Sequence, residues 1–494
     1  MHRNSPSVRT ALRNPKLLTK EVLAGLVVAL ALIPEAISFS ILAGVDPRVG
    51  LFSSFIMAVT TAILGGRPAM ISAATGAVAI IIAPVARDYG LDFFLATVIL
   101  AGIFQILLAA LGAAKLMRFI PRSVMVGFVN SLAIIIFLAQ MPYLIGVTIP
   151  AYALVAVGLV IMIVMPKITL VIPAPLVAIL VVSTIVFITG FNVQTVGDEG
   201  ELPRSLPALL IPNVDLNMTT FSIIAPYALA MALVGLLESL MTAKLVDEIT
   251  DTRSAKTRES FAQGIGNFIS GFFGGMGGCA MIGQTMINVK GSGARTRIST
   301  FIAGVMLLFL VVVLGDLVST IPMAALVAVM IMVSVGTFNW HSVLPATLKQ
   351  MPKTESFVMI STVVVVIMTH NLAIGVIVGI ILEMVMFARR VAHFAETTRT
   401  VGEQDGVGAV LYTVKGELFF ASSNDLTTQF EYTDDPENVV IDFSEAHIWD
   451  PSTVAALDSI IDRYRRMGKS VEIKGMNDYS SGLYSRLAGR LGNE

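Results

Sequence analysis

The chain has 494 residues, of which 55% are hydrophobic and only 14% charged, with a mean hydropathy of +0.82. That composition excludes an ordinary soluble globular protein. A formal net charge of -1 gives no sign of a nucleic-acid partner, and the single cysteine, Cys279, excludes an internal disulfide and any zinc-binding spacing.

Residues 1–20 are polar and basic (Arg3, Arg9, Arg13, Lys16, Lys20). They read as a cytoplasmic segment without a cleavable signal, because no Ala-x-Ala site follows a short apolar core. Apolar runs of membrane-spanning length then recur from Val22 to about Arg390. The first half predicts segments near 22–43, 49–64, 73–86, 93–114, 123–140, 151–165 and 168–190. The second predicts 221–246, 257–273, 279–289, 298–314, 322–336, 355–369 and 371–392. Those starting at 73 and 279 are too short to cross about 30 Å of hydrocarbon alone. They read as half-helices, each preceded by extended backbone buried in protein, because exposed irregular backbone is not tolerated in lipid.

Charge placement fixes the orientation. With both termini inside, 21 basic residues of the amino terminus and membrane region are cytoplasmic, Arg118 among them. Three (Arg48, Arg87, Arg204) lie outside, a strong positive-inside bias that suits a multi-pass protein of the plasma (inner) membrane. His341 and His370 fall at span ends. After a linker at 393–406, residues 407–491 read as a small soluble α/β domain. Val410–Val414, Asn438–Phe443 and Ser470–Lys474 are its strands, and Pro451–Arg466 has helical spacing.

Two stretches echo each other 203 residues apart: Ala29 to Glu35 and Ala232 to Glu238, each an apolar run ending in one carboxylate. The same offset carries Ser72-Ala73-Ala74-Thr75-Gly76 onto Gly275 to Cys279, inside a glycine-rich stretch. A chain built twice, each half with an intramembrane acid and a broken small-residue segment, is the sequence sign of a secondary transporter. Acids at membrane depth are costly, so function is their default reading; an acid near a span end that reaches the headgroups is the alternative. Glu238 and Thr242 stand four residues apart and share a helix face, where they suit a cation or a proton. Glu35 follows Pro34, which kinks or interrupts its helix, so its carboxylate serves either the site or the freed backbone. Half-helix amino termini at the two small-residue stretches suit an anion; close helix packing is the competing explanation. Cys279 reads as a small packing residue. No nucleophile–base set or metal cluster suggests an enzyme.

Several motifs then carry a family resemblance. Leu32-Ile33-Pro34-Glu35-Ala36-Ile37-Ser38-Phe39 resembles the first-span motif of the sulfate permease (SulP) family, where Gln often replaces Glu35. Gly274 to Gln284 resembles that family's tenth span, especially in its BicA-type bicarbonate transporter branch, and the carboxyl-terminal module resembles a STAS domain. The resemblance implies fourteen spans as two inverted seven-span repeats (about 21–190 and 221–392), core and gate domains, elevator-type movement and a homodimer. It implies an anion bound by Ala73, Ala74 and Thr75 with Gly278, Cys279 and Ala280, in a pocket lined by Glu35 and Gln284. Gln284 stands where many relatives carry a basic residue. The resemblance also implies a coupling ion at Glu238 and Thr242, Na+ or H+, with Glu where the sodium-coupled members have Asp. Symport of a small inorganic oxyanion, bicarbonate or sulfate, is favoured over exchange, with no cofactor beyond a possible Na+. In the STAS-like domain Ser452 occupies a regulatory position, with helix capping the favoured role. The alternatives are a nucleobase permease of the same architecture and an anion channel or signalling protein with STAS output.

Overall fold

A computed structural model describes residues 7–112, 115, 121–168, 173–215, 217–369, 371–392, 396–404 and 407–490. Arg3, Arg118 and His370 lie outside the described residues. The chain divides into two compact units, Met1–Ile380 and Ile381–Glu494.

A helix occupies every predicted segment. In the first half they are α1 (Pro15–Ala43), α2 (Pro47–Leu64), α3 (Gly76–Tyr89), α4 (Leu91–Ala110), α5 (Arg122–Leu138), α6 (Ile149–Ile168) and α7 (Ala174–Thr189). The second half has α8 (Met218–Thr250), α9 (Lys256–Phe272), α10 (Ile282–Met286), α11 (Arg297–Ser319), α12 (Met323–Thr337), α13 (Lys353–Thr369) and α14 (Leu372–Ala392). α10 runs directly into a π-helical turn, Ile287–Gly291. Seven of the described helices are long and apolar enough to cross a membrane by themselves. α3 and α10 are not among them, in keeping with half-helices.

The element that organises the first unit is very small. Before α3 the backbone is extended at β1 (Ser72–Ala73), and before α10 at β2 (Cys279–Ala280). The two pair antiparallel, Ser72 opposite Ala280 and Ala73 opposite Cys279. One strand from each half, meeting head to tail, is what a pseudo-twofold axis in the membrane plane produces. It also satisfies extended backbone that lipid would leave unpaired.

Around this ladder α1–α4 pack with α8, α9 and α11, while α5, α6, α7, α12 and α13 form a second group. The division has the core-and-gate form that the resemblance implied. The seam between α4 and α9 is made of small residues: a Cβ on Gly102 would lie 2.5 Å from the Phe268 amide nitrogen. Pro34 does not interrupt α1, which is continuous from Pro15 to Ala43.

The second unit contains a four-stranded sheet in the order β3 (Glu396–Gln404), β4 (Val407–Leu418), β5 (Asn438–Ile448) and β6 (Ser470–Lys474). β3 pairs antiparallel with β4, and the other pairings are parallel. Helices α15 (Phe420–Leu426), α16 (Pro451–Arg466) and α17 (Asp478–Leu487) complete it. Its core gathers Tyr412, Phe430, Phe443, Leu457 and Tyr464. Two expectations are corrected here. Most of the stretch read as a linker, 393–406, is strand β3; its exposed polar residues lack the alternation that marks a half-buried strand. The N-cap of α16 is Asp450, whose carboxylate accepts from the Thr453 amide at 3.1 Å, and not Ser452, which is exposed in the first turn. Proline favours the first helical position, so Pro451 places the cap at Asp450, two residues before Ser452.

Candidate anion and cation site

Thr75 is the N-cap of α3, in extended conformation, with its hydroxyl accepting from the Val78 amide at 3.4 Å. α10 starts after Met281, whose amide donates to the Ile71 carbonyl at 2.8 Å; Thr285 Oγ1 in turn accepts from the Ile71 amide at 3.0 Å. Both helices therefore begin at the two ends of one ladder. The first N–H groups of a helix have no acceptor within it and carry the positive end of its dipole. Here those groups belong to Gly76 and Ala77 in α3, and to Ile282 and Gly283 in α10.

Polar side chains from neighbouring helices hold the ladder itself. Asn267 on α9 clamps Gly278 at both ends, accepting from its amide at 2.7 Å and donating to its carbonyl at 3.0 Å. Asn267 Nδ2 also donates to Gln105 Oε1 at 2.7 Å. Ser54 Oγ accepts from the Ala74 amide at 3.2 Å, and Ser239 Oγ from the Ala280 amide at 3.0 Å. Gln263 Nε2 donates to Ser72 Oγ at 2.7 Å, and Ser53 Oγ donates to the Gly277 carbonyl. A Cβ on Gly278 would stand 1.9 Å from the Ala73 carbonyl oxygen, and Gly277 has φ +67°. Only glycine fits that crossing.

The six residues expected to bind the anion thus meet in one place, all buried. Their backbone is not all free, however. The amides of Ala74, Gly278 and Ala280 are taken by Ser54, Asn267 and Ser239, which leaves the first helical turns beyond them as the candidate donors.

Two carboxylates approach the ladder ends. Glu238 is 8% exposed, and its Oε2 accepts from Cys279 Sγ at 2.9 Å; Thr75 Oγ1 lies 3.1 Å from the same sulfur. Cys279 therefore joins the β1–β2 ladder to the acid, a contact beyond packing. Glu35 is 7% exposed, and its Oε1 accepts from Gln284 Nε2 at 2.7 Å. This carboxylate is engaged across the site and not with the backbone that Pro34 frees. Among the described residues neither acid has an ion-pair partner. Thr242 Oγ1 donates to the Glu238 backbone carbonyl at 2.8 Å and not to its carboxylate. Among the described residues, no group of three His, Cys, Asp or Glu side chains is placed to hold a metal ion.

Sequence reasoning missed Asn267, Gln105, Ser53, Ser54, Ser239 and Gln263. Their one signal is polarity inside apolar helices, which in membranes marks hydrogen bonding between helices. Away from the ladder two buried acids were missed as well. Glu259 accepts from the Gly66 and Arg67 amides at 2.6 and 2.9 Å, and Glu21 from the Arg295 and Thr296 amides at 2.7 and 3.0 Å.

Residues 18–154 and 148–362 match the sulfate permease family, and residues 399–481 match the STAS domain. The chain belongs to the sulfate permease family. It is 51% identical over 471 residues to the "Putative sulfate transporter YbaR" of Bacillus subtilis (strain 168), covering 95% of this chain and 97% of that protein. Among solved structures it resembles the transmembrane domain of a cyanobacterium bicarbonate transporter BicA, with TM-score 0.65 and 25% identity, over 75% of this chain and 98% of that one. Murine Solute Carrier 26 family member A9 shares the fold over 96% of this chain and 88% of that one, with TM-score 0.83 at 16% identity. The chain is thus a multi-pass membrane protein with a helical core and a carboxyl-terminal STAS domain, in a family whose relatives here are transporters and not enzymes.

Proposed function

We propose that this member of the sulfate permease family is a secondary active transporter of a small inorganic oxyanion, sulfate or bicarbonate, carried together with Na+ or H+. The observation that supports it most is the β1–β2 ladder, which sets two helix starts at one buried point with an uncompensated carboxylate beside it. Amides and dipole ends there suit an oxyanion. With no cationic side chain paired to Glu238, a co-transported cation offsets both the carboxylate and the anion. The Glu238 carboxylate and the remaining lone pairs of Thr242 Oγ1 are the oxygen donors for that ion. The putative sulfate transporter and the bicarbonate transporter among the relatives supply the two substrate candidates.

The helix groups support an elevator-type cycle, in which the group around the ladder carries the anion past the second group. A homodimer in the plasma membrane with both termini cytoplasmic completes the proposal. Uptake of labelled sulfate and bicarbonate into proteoliposomes, with and without sodium and pH gradients, tests it. Saturable uptake driven by one gradient and lost in Glu238→Gln is expected. Uptake indifferent to both gradients, or unsaturable as in a channel, sinks the reading.

A further inference from the structure

The chain crosses from one helix group to the other after α7, in the segment that joins the two halves, and again between α11 and α12. These two crossings are bonded to each other. Thr195 pairs antiparallel with Pro322; the Val196 amide donates to the Ile321 carbonyl at 2.9 Å, and the Met323 amide to the Gln194 carbonyl at 2.8 Å. A one-turn helix follows, Val196–Glu199, closed by a capping box between Thr195 and Asp198. Gln194 Nε2 donates to Glu199 Oε1 at 2.6 Å, which folds this end of the segment onto itself. The result is a compact piece anchored on the start of α12.

Its other end grips the ladder-bearing group. At the turn between α1 and α2 the Arg48 amide donates to the Glu201 carbonyl at 3.2 Å, and Arg48 Nη1 to Glu201 Oε2 at 2.7 Å. Asp46 Oδ1 accepts from the Glu201 amide at 3.3 Å, and Asp46 Oδ2 lies 3.3 Å from Arg48 Nη2. Asp46 holds the N-cap position of α2 yet makes no side-chain cap; its carboxylate is turned to Glu201 instead. Gly200, next to them, has φ +149°, and a Cβ there would stand 2.3 Å from Asp46 Oδ1, so only glycine lets the backbone pass. The same turn reaches the site, because the Val49 carbonyl accepts from the Met276 amide at 3.4 Å, just ahead of β2.

The two ends differ in strength. On the α12 side the bonds run from backbone to backbone. On the α1–α2 side they depend on the side chains of Arg48 and Glu201, which are 39% and 75% exposed, and exposed ion pairs hold weakly. When the two helix groups slide past each other, one end has to open, and the exposed end opens more easily. We propose that Gln194 to Glu201 is a clasp. It stays bonded to α12 while the ladder-bearing group moves, and its grip on Asp46 and Arg48 through Glu201 opens once in each transport cycle. This deepens the transporter reading and rests on it.

Two cysteine pairs test it in the full chain, whose own Cys279 is buried. Arg48→Cys with Glu201→Cys puts a disulfide across the end that should open; Thr195→Cys with Pro322→Cys puts one across the end that should stay. Thr195 and Pro322 face each other as an antiparallel pair, and Arg48 and Glu201 are in backbone contact, so both spacings suit a bridge. Uptake of labelled sulfate or bicarbonate, whichever the wild type carries, is measured in proteoliposomes after oxidation and again after reduction, with crosslinking confirmed by mass spectrometry. The oxidised first pair is expected to lose at least nine-tenths of its uptake and to regain it on reduction, while the oxidised second pair keeps at least half. Undiminished uptake in the fully crosslinked first pair overturns the proposal, as does equal loss in both pairs. Glu201→Ala, at an exposed position, decides the matter even where the first pair does not fold. It is expected to shift the KM for the anion about threefold by unbalancing the two arrangements, and an unchanged KM and kcat overturns the clasp. If the wild type transports no anion, the transporter reading itself fails; if it transports and the crosslinked first pair does too, only this proposal falls.

Discussion

At the scale of single residues, the site depends on a few groups that tolerate no substitute. Gly278 leaves no room for a methyl group, because the Ala73 carbonyl oxygen already occupies it. Gly278→Ala is therefore expected to separate the ladder and abolish anion uptake while Gly283→Ala, where nothing lies within 4 Å, retains it; uptake assays on the two variants at equal protein level decide. Asn267 tests the positioning argument differently. Asn267→Ala leaves both the amide and the carbonyl of Gly278 without their buried partner, at a cost of about 1–3 kcal/mol for each unsatisfied group. The expected result is a KM for the anion raised at least tenfold, with Asn267→Asp restoring less than half of the loss, since a carboxylate accepts from the amide but cannot donate to the carbonyl. Unchanged KM in Asn267→Ala would show that the clamp does not position the site. The glycine run was conspicuous in the sequence, whereas Asn267 was one polar residue among many and only its contacts reveal it.

Elements show where local chemistry suffices and where it does not. Helix α16 is set by residues adjacent to it: Asp450 caps it, Pro451 begins it, and its last turn holds Arg463, Arg465 and Arg466. Asp450→Ala should lower the stability of the carboxyl-terminal unit by about 1 kcal/mol, the usual value of an N-cap, and Ser452→Ala by almost nothing. Thermal unfolding of the full chain, read by Trp449 in a Trp340→Phe background, separates the two. The opposite ranking would restore the serine as the cap. A second element-level feature is the buried Asp435, which accepts from the hydroxyls of Tyr412 and Tyr464 at 2.7 and 2.6 Å and from Arg399 Nε at 2.8 Å. Burial, reinforced by Asp435, pushes both tyrosine hydroxyls above their ordinary pKa of 10.0. The folded unit thus holds these protons more tightly than the unfolded chain does. Its stability is fully present below about pH 10 and is lost as pH rises further. Trp449 fluorescence across pH 8–12 should show the melting temperature falling only above about pH 10. A fall that begins below pH 9 would place the sensitivity elsewhere. Strand β3, in contrast, has no local signature. Most of its residues are polar, Thr398 to Gly402 are exposed, and only the ladder of hydrogen bonds to β4 makes it a strand.

For the molecule as a whole, the family and the division into two units together assign separate tasks. Transport belongs to the helical unit in this reading, so a chain ended after Ala392, ahead of β3, is expected to retain gradient-driven anion uptake. Complete loss of uptake from such a truncated protein, still folded by size-exclusion chromatography, would make the STAS domain part of the transport machinery. A helix in each predicted apolar segment, the order of those helices and the carboxyl-terminal module were all legible in the sequence. Hydrophobic segments of spanning length and strand–helix alternation are local patterns, and each leaves its mark within a few dozen residues. The repeat was legible too, through the matched positions of Glu35 and Glu238 and of the two small-residue stretches. What those residues touch was decided only by the tertiary structure, because the contacts join different elements at positions 11 to 249 residues apart. The pairing of β1 with β2, the capture of three ladder amides by Ser54, Asn267 and Ser239, and the thiol of Cys279 on Glu238 all belong to this class. So does the pairing of Glu35 with Gln284. Composition and periodicity determine that a segment leaves water. A hydrogen bond between two helices depends on their crossing, which no short stretch of sequence contains.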